Sequence, residues 1–495
     1  MKKQAFNPYL PSWEYVPDGE PHVFGDRVYV YGSHDLFNGW VFCLGDYVCY
    51  SAPVNDLSDW TYEGVIYKKT DDPLNNEGKM ALYAPDITKG PDGKYYLYYV
   101  LDKVSIVSVA VSEKPTGPFS FYGYVHYQSG EKYGDRAGDM PQFDPAVLTE
   151  GEKTYLYTGF CGNKMKDRIG AMATVLGPDM LTIIEEPRVI VPGDSYTLPE
   201  KEACTTAIKQ QRAAGGSYPY ALGSTENWEG FKNHAFFEAS SIRKIGDTYY
   251  FVYSSEVMHE LCYATSKNPT DKFKYGGVIV SNCDLGIDTY KPADMPAAYG
   301  ANNHGGIEYI NGDWYIFYHR HTNGTWYSRQ GCAEKIKVLK DGIIPQVEIT
   351  SCGLNGGPLK GQGYYPAYIV CNMFIPDKPS KYISDQPFPK VTQDGRDGDR
   401  EEGYIADVSD KATFGFKYFK FKDCKKITIW TRGYSAGCYE VKTKWDGPVL
   451  GTIPVSFTNI WEKHSADIEI PDGVSALYLT YKGSGKHHLK GFELL

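Results

Sequence analysis

Three acidic residues stand in settings that suit acid–base chemistry. At 231–242 the chain reads FKNHAFFEASSI, so Glu238 follows the apolar run Ala235-Phe236-Phe237. Asp18 lies in VPDGEP, a turn-like and more solvated stretch, and Asp86 lies in APDI. An apolar flank desolvates a carboxylate, raises its pKa and favours the acid form near neutrality. A solvated carboxyl stays ionised and can serve as a base. Cleavage of a glycosidic bond uses such a pair: one carboxyl protonates the leaving oxygen, the other activates water or attacks carbon. Glu238 suits the donor and Asp18 the base. Asp86 reads as a third member, whose charge keeps Glu238 protonated and which orients it.

These residues must be brought together from distant parts of the chain, and a repeat shows how. Five segments share one plan: DGEPHVFGDRVYVYGSHD from Asp18, DITKGPDGKYYLYYV from Asp86, DPAVLTEGEKTYLYTGF from Asp144, EASSIRKIGDTYYFVYSS from Glu238 and HGGIEYINGDWYIFYHR from His304. Each has a polar opening residue, a short strand-like run, a Gly/Asp/Asn turn and a run alternating Tyr with aliphatic residues. The first Tyr of the second run lies 11 residues on in four segments and 9 on in the one from Asp86. Alternating runs around such turns make β-hairpins. The segments start 68, 58, 94 and 66 residues apart, room for two further strands each. Five four-stranded units predict a five-bladed β-propeller whose innermost strands carry the opening residues toward one axis.

Beyond about Arg329 the pattern changes. Short alternating strands with frequent turns fill the C-terminal part, the rhythm of a β-sandwich. The chain therefore reads as all-β: a propeller over 1–350, a linker with inter-domain loops over 351–375 and a β-sandwich of jelly-roll type over 376–495.

Composition narrows the partners. The 495 residues carry a formal charge of −10 and no dense Lys/Arg stripe, which argues against nucleic acid. No stretch approaches the ~18 consecutive apolar residues of a membrane span. The 43 tyrosines suit pleated surfaces and the flat C–H faces of sugars. Eleven scattered cysteines contain no CxxC pair, so they read as reduced thiols and not as a zinc site. With no apolar segment after the N-terminal MKK, a cytoplasmic address is expected unless a leader has been removed.

The stretches NPYLP…VPDGEPHVF, YAPDI, FDPAV, FFEASSI and NNHGG resemble glycoside hydrolase family 43, five-bladed propellers acting on arabinose- and xylose-containing glycans. The likeness spans about 6–350. It implies Asp18 as general base, Asp86 as pKa modulator and Glu238 as general acid of an inverting hydrolase. The implied activity is removal of terminal pentoses from plant cell-wall glycans, with α-L-arabinofuranosidase favoured and β-xylosidase or arabinanase as alternatives. A non-catalytic glycan-binding propeller is the alternative of another class. PDGEP departs from the family's usual DP followed by an apolar residue, which leaves Glu20 as the fallback base. Asp144 is expected to be structural. His304 in NNHGG matches a family histidine near a channel ion, commonly calcium held partly through water; no organic cofactor is expected. His34 and Asp35 in GSHD, and Arg329 in preference to Arg320, are the expected substrate contacts. The stretches KYFKF, TRGYSAGCYEV and ALYLTYKG, with Trp461, resemble a family 6 carbohydrate-binding module, with Tyr434 and Trp461 as candidate sugar contacts.

Overall fold

The computed structural model describes residues 3–137, 139–161, 170–193, 221–222, 224, 226–375 and 389–495. Five antiparallel sheets follow one another along the chain. Blade one comprises Glu20–Phe24, Arg27–Tyr31, Tyr47–Pro53 and Thr61–Tyr67. Blade two comprises Asp86–Lys89, Tyr95–Tyr99, Ser108–Ser112 and Ser120–Tyr124. Blade three runs Ala146–Glu150, Lys153–Thr158, Gly170–Leu176 and Ile183–Pro192, with Ala221–Leu222 added in parallel. Blade four holds Phe236–Ile245, Thr248–Ser255, Glu260–Ser266 and Lys274–Ser281. Blade five holds Ile307–Ile310, Asp313–His321 and Arg329–Ile336. The first strands of the blades touch in cyclic order, the fifth against the first, so the expected five-bladed propeller is present.

A hydrophobic cluster fills each gap between blades. Tyr31 and Tyr99 help join blades one and two, Tyr98 and Leu156 blades two and three, and Tyr157 and Phe251 blades three and four. Tyr250 and Tyr318 join blades four and five, and Tyr9 with Phe317 closes five onto one. The tyrosine excess follows from this position. A ring fills the wedge, and its hydroxyl reaches a carbonyl of the next blade: Tyr31 donates to Pro115 (2.7 Å), Tyr98 to Met180 (2.7 Å) and Tyr157 to Pro269 (2.7 Å). Phenylalanine would leave those carbonyls unpaired.

Blade five has only three strands of its own, and the N-terminal segment completes it. The Tyr9 amide donates to the Gly331 carbonyl, and the Asn7 amide to Ser351. The buried Asn7 side chain donates to Ala333 O (2.8 Å), Glu334 Oε1 (2.9 Å) and Thr350 O (3.1 Å), and accepts from Ala333 N (3.0 Å).

The C-terminal domain is one hydrogen-bonded network of ten strands around one core. Its longest members, Lys426–Lys442 and Gly473–Leu494, pair antiparallel over nearly their whole lengths. The boundary expected near 376 is corrected. Leu359–Lys360, Gly363–Pro366 and Asn372–Phe374, assigned above to a linker, pair with Thr413–Phe421 and Gly473–Leu494 inside this domain. Strands of two to four residues are too short to show alternation in sequence. Between the domains, Lys417 is fully buried against Asp284 and Glu348 (3.2 Å each) and lies over the Tyr290 ring. No α-helix occurs among the described residues, and none is long and apolar enough to cross a membrane.

Because Asn7 satisfies buried groups of blade five and of the segment that follows it, Asn7→Ala is expected to lower the free energy of unfolding by about 2–4 kcal/mol. Urea titration followed by tryptophan fluorescence measures this; an unchanged midpoint would mean that the seam closes without it.

Candidate active site

At the channel mouth the chain ends of four inner strands converge. Asp18 and Asp144 each stand two residues before the first strand of their blade, in left-handed backbone (φ 57° and 43°) that short polar side chains tolerate. His304 stands three residues before Ile307. Glu238 is the third residue of its strand, where the register against Thr248–Ser255 shifts on both sides of it and Ala239 takes φ 68°. Such bulges re-aim a side chain beside a site. After His304, a Cβ on Gly306 would lie 2.4 Å from Ser241 Oγ and 2.6 Å from Glu20 Oε2, so glycine permits the inner strands to close on the axis.

These four side chains line a cavity of about 590 Å³ together with Arg329 and Asn302. Its walls are aromatic. Tyr83, Phe143, Phe160 and Phe237 form a continuous series with centroids 5.1–5.4 Å apart. Phe42 and Tyr327 meet edge-to-face on another side at 4.9 Å. Such a cavity suits a sugar, with rings for its C–H faces and a few polar groups for its hydroxyls.

Arg329 sets the charge of the site. It donates through Nη1 to both oxygens of Asp18 (2.9 and 3.1 Å), and through Nε and Nη2 to the two oxygens of Asp35 (2.8 and 2.9 Å). Burial pushes the Asp18 carboxyl up, but Arg329, His319 and His304 outweigh it and hold Asp18 well below the usual carboxylate range. His319 Nε2 donates to the Asn302 carbonyl (2.8 Å), so its Nδ1 accepts the Asp18 amide (3.3 Å). Glu238 goes the other way. Burial, then the Asp18 charge, push it up to about 8, with Arg329 offsetting part of the rise. Burial, Glu238 and Asp18 also push Asp144 up. Asp144 accepts the Ala239 amide (3.0 Å), which favours its ionised form, and lies 3.6 Å from His304 Nδ1. The amide contact therefore favours the proton of this pair on Glu238. Burial lowers His304 to about 4.

The other expected residues fall elsewhere. Asp86 is corrected: it is fully buried beneath the cavity and does not line it. Its Oδ1 meets His22 Nε2 (2.7 Å) and the Ile87 amide (2.7 Å), and its Oδ2 accepts the Val147 amide (2.8 Å). Pairing explains the shift. Asp86 lies opposite Tyr98 as Glu20 lies opposite Tyr31, so Ala84, which does line the cavity, is the blade-two counterpart of Asp18. The turn of blade two spans 90–94, against two residues in the other blades, and this displaced the count. Asp144 was missed as a cavity residue, although it shares with Asp18 the 11-residue spacing that Asp86 lacks. Glu20, the fallback base, also lies deeper, bound to Ser241 (3.0 Å) and Arg243 (3.3 Å). Asp35 does not line the cavity; it is buried behind Arg329 and also accepts the Cys43 amide (2.9 Å). His34 points to the Asp46 carbonyl (3.1 Å), outside the cavity. In the C-terminal domain, Trp461 is packed against Tyr404 and the Arg432 guanidinium, whereas Tyr434 is 73% exposed and meets Phe457.

Asp86→Ala strands two buried amides and unpairs the His22 ring, and is expected to cost about 3 kcal/mol of unfolding free energy. It should leave the titration of Glu238 where it is, read by ¹³C NMR of labelled carboxyls. A displaced Glu238 titration would restore Asp86 to the site.

Comparison with known proteins agrees with this geometry. Residues 22–344 match the model of glycosyl hydrolases family 43. A xylosidase/arabinosidase of Thermoclostridium stercorarium is 64% identical across 100% of this chain and 99% of that protein. A xylosidase/arabinosidase of Bacteroides ovatus is 28% identical over 63% of this chain and 87% of its own. Among solved structures, a calcium-free family 43 β-xylosidase/α-arabinofuranosidase from a compost microbial metagenome, in complex with xylotriose, aligns with TM-score 0.50 and 27% identity over 70% of this chain and 98% of that one. An arabinoxylan arabinofuranohydrolase from Bacillus subtilis, in complex with cellotetraose, shares the fold over 99% of this chain and 97% of its own, with TM-score 0.51 and 19% identity. The chain belongs to glycosyl hydrolases family 43.

Proposed function

We propose that this hydrolase removes terminal pentose residues from arabinose- and xylose-containing glycans with inversion, taking both α-L-arabinofuranosides and β-xylosides. One observation carries the chemistry: Asp18, held ionised by Arg329, shares a sugar-sized cavity with Glu238, held protonated by burial. The name shared by relatives at 64% and 28% identity supports the substrate class. Glu238 donates its proton to the leaving oxygen as the glycosidic bond breaks. Asp18 takes a proton from the water that attacks the anomeric carbon. Asp144 supplies the negative charge that keeps the proton on Glu238, the role the sequence had suggested for Asp86. Arg329 keeps Asp18 charged and steadies it, and the aromatic walls displace water from the sugar.

Calcium in the channel is part of the proposal. His304 Nε2 and Glu20 Oε1 are buried, 3.9 Å apart and without a partner in the protein. Burial and the Asp86 charge push the Glu20 carboxyl up, and Arg243 offsets this only in part, so a second positive charge fits there. With water completing its shell, the ion would supply a positive field beneath the carboxyls. Ten described cysteines are free and at least half-buried, which supports a reducing compartment.

Because Glu238 works as an acid, kcat/KM on para-nitrophenyl pentosides should fall as pH rises through about 8. Asp144→Asn removes a like charge and should move that limb down by about one unit. Glu238→Gln should lose about 10²–10⁴-fold on natural linkages and far less on aryl pentosides, which need little protonation. Equal loss on both would remove Glu238 as the acid, and retained anomeric configuration by NMR would end the inverting scheme.

A further inference from the structure

Behind blade five, where the propeller meets the C-terminal domain, lies a second and much smaller cavity. It has about 20 Å³, room for one water- or halide-sized group, and is lined by Tyr299, Arg320, His321 and Thr322 of the propeller and by apolar Val370, Met373 and Val391. All four polar residues are at least nine-tenths buried. Each has one atom without a partner in the protein: Tyr299 Oη, Arg320 Nη2, His321 Nδ1 and Thr322 Oγ1. Four such atoms on one small cavity are unusual, since buried polar groups are normally paired.

The charge of Arg320 indicates what belongs there. Nε donates to Cys332 Sγ (3.1 Å) and Nη1 to the Val370 carbonyl (2.9 Å). Among the described residues it has no carboxylate partner. Glu334, whose charge reaches it, spends its oxygens on Asn7, Tyr318 and Thr350. A guanidinium stays charged at any working pH, and a buried charge without a counter-charge is costly. Tyr299 and Thr322 can each turn a hydroxyl proton inward beside the Nη2 proton. His321 Nε2 meets Asn302 Oδ1 (2.9 Å). Turning the Asn302 amide lets Nε2 accept, so that Nδ1–H becomes a fourth donor.

We propose that this cavity is a binding site for a single monatomic anion of chloride size, held by Arg320, Tyr299, Thr322 and His321 at the domain interface. The site is separate from the catalytic cavity and meets it through the Asn302 side chain and the Trp326 ring. Its small size suits a single ion or water-sized group.

The test uses the whole chain. Crystals soaked in sodium bromide should show an anomalous peak within hydrogen-bond reach of Arg320 Nη2. Enzyme freed of chloride should melt at higher temperature in sodium chloride than in sodium gluconate of equal ionic strength. Thr322→Val keeps the shape, removes one donor and should weaken the chloride midpoint of that stabilisation about three- to tenfold. Density of water strength in the bromide soak, or identical melting in the two salts, overturns the proposal. So does a Thr322→Val variant that melts normally in gluconate and responds to chloride as wild type does.

Discussion

The fork of Arg329 between Asp18 and Asp35 is the interaction on which the site depends. A carboxylate buried at the mouth of a propeller would ordinarily take up a proton. Here a guanidinium on blade five reaches blade one, pairs with two carboxylates at once and keeps Asp18 charged. That charge then acts on the neighbours: it raises Glu238 and Asp144, which have no cation of their own, and it leaves a proton on Glu238. Opposite protonation of two carboxyls in one cavity thus follows from one arginine placed nearer to one of them.

The arrangement holds only if the ring is closed. Arg329 opens the third strand of blade five and Asp18 precedes the first strand of blade one, so their contact crosses the seam of the propeller. Asn7 and Tyr9 bind that seam from the N-terminal side. Asp397 of the C-terminal domain accepts the Phe37 amide (2.8 Å), just after Asp35 on the loop that carries Phe42 and Cys43 into the cavity. The second domain therefore supports the wall of the catalytic cavity as well as packing beside it.

Much of the fold was legible. Five hairpins of one plan revealed five blades, because alternation and Gly/Asp turns are local signals. The acid in FFEASSI was legible too, since three apolar neighbours announce desolvation. Asp86 stands two residues beyond the position equivalent to Asp18, and counting from tyrosines does not register the five-residue turn of its hairpin. The strands within 359–374 were missed because their pairing is with residues a hundred positions away. Asp35 is adjacent to His34 in sequence, yet one lies behind Arg329 and the other at a backbone carbonyl.

By itself the sequence determined the strand-rich class, the five blades and the family, because these depend on short-range patterns of apolar and polar residues. Only the tertiary structure decided which opening residues share the cavity, which carboxyl holds the proton and where Arg320 is left without a counter-charge. Those outcomes are set by distances across the ring between residues some 300 positions apart, and electrostatic energies in a buried site change with every ångström of that separation.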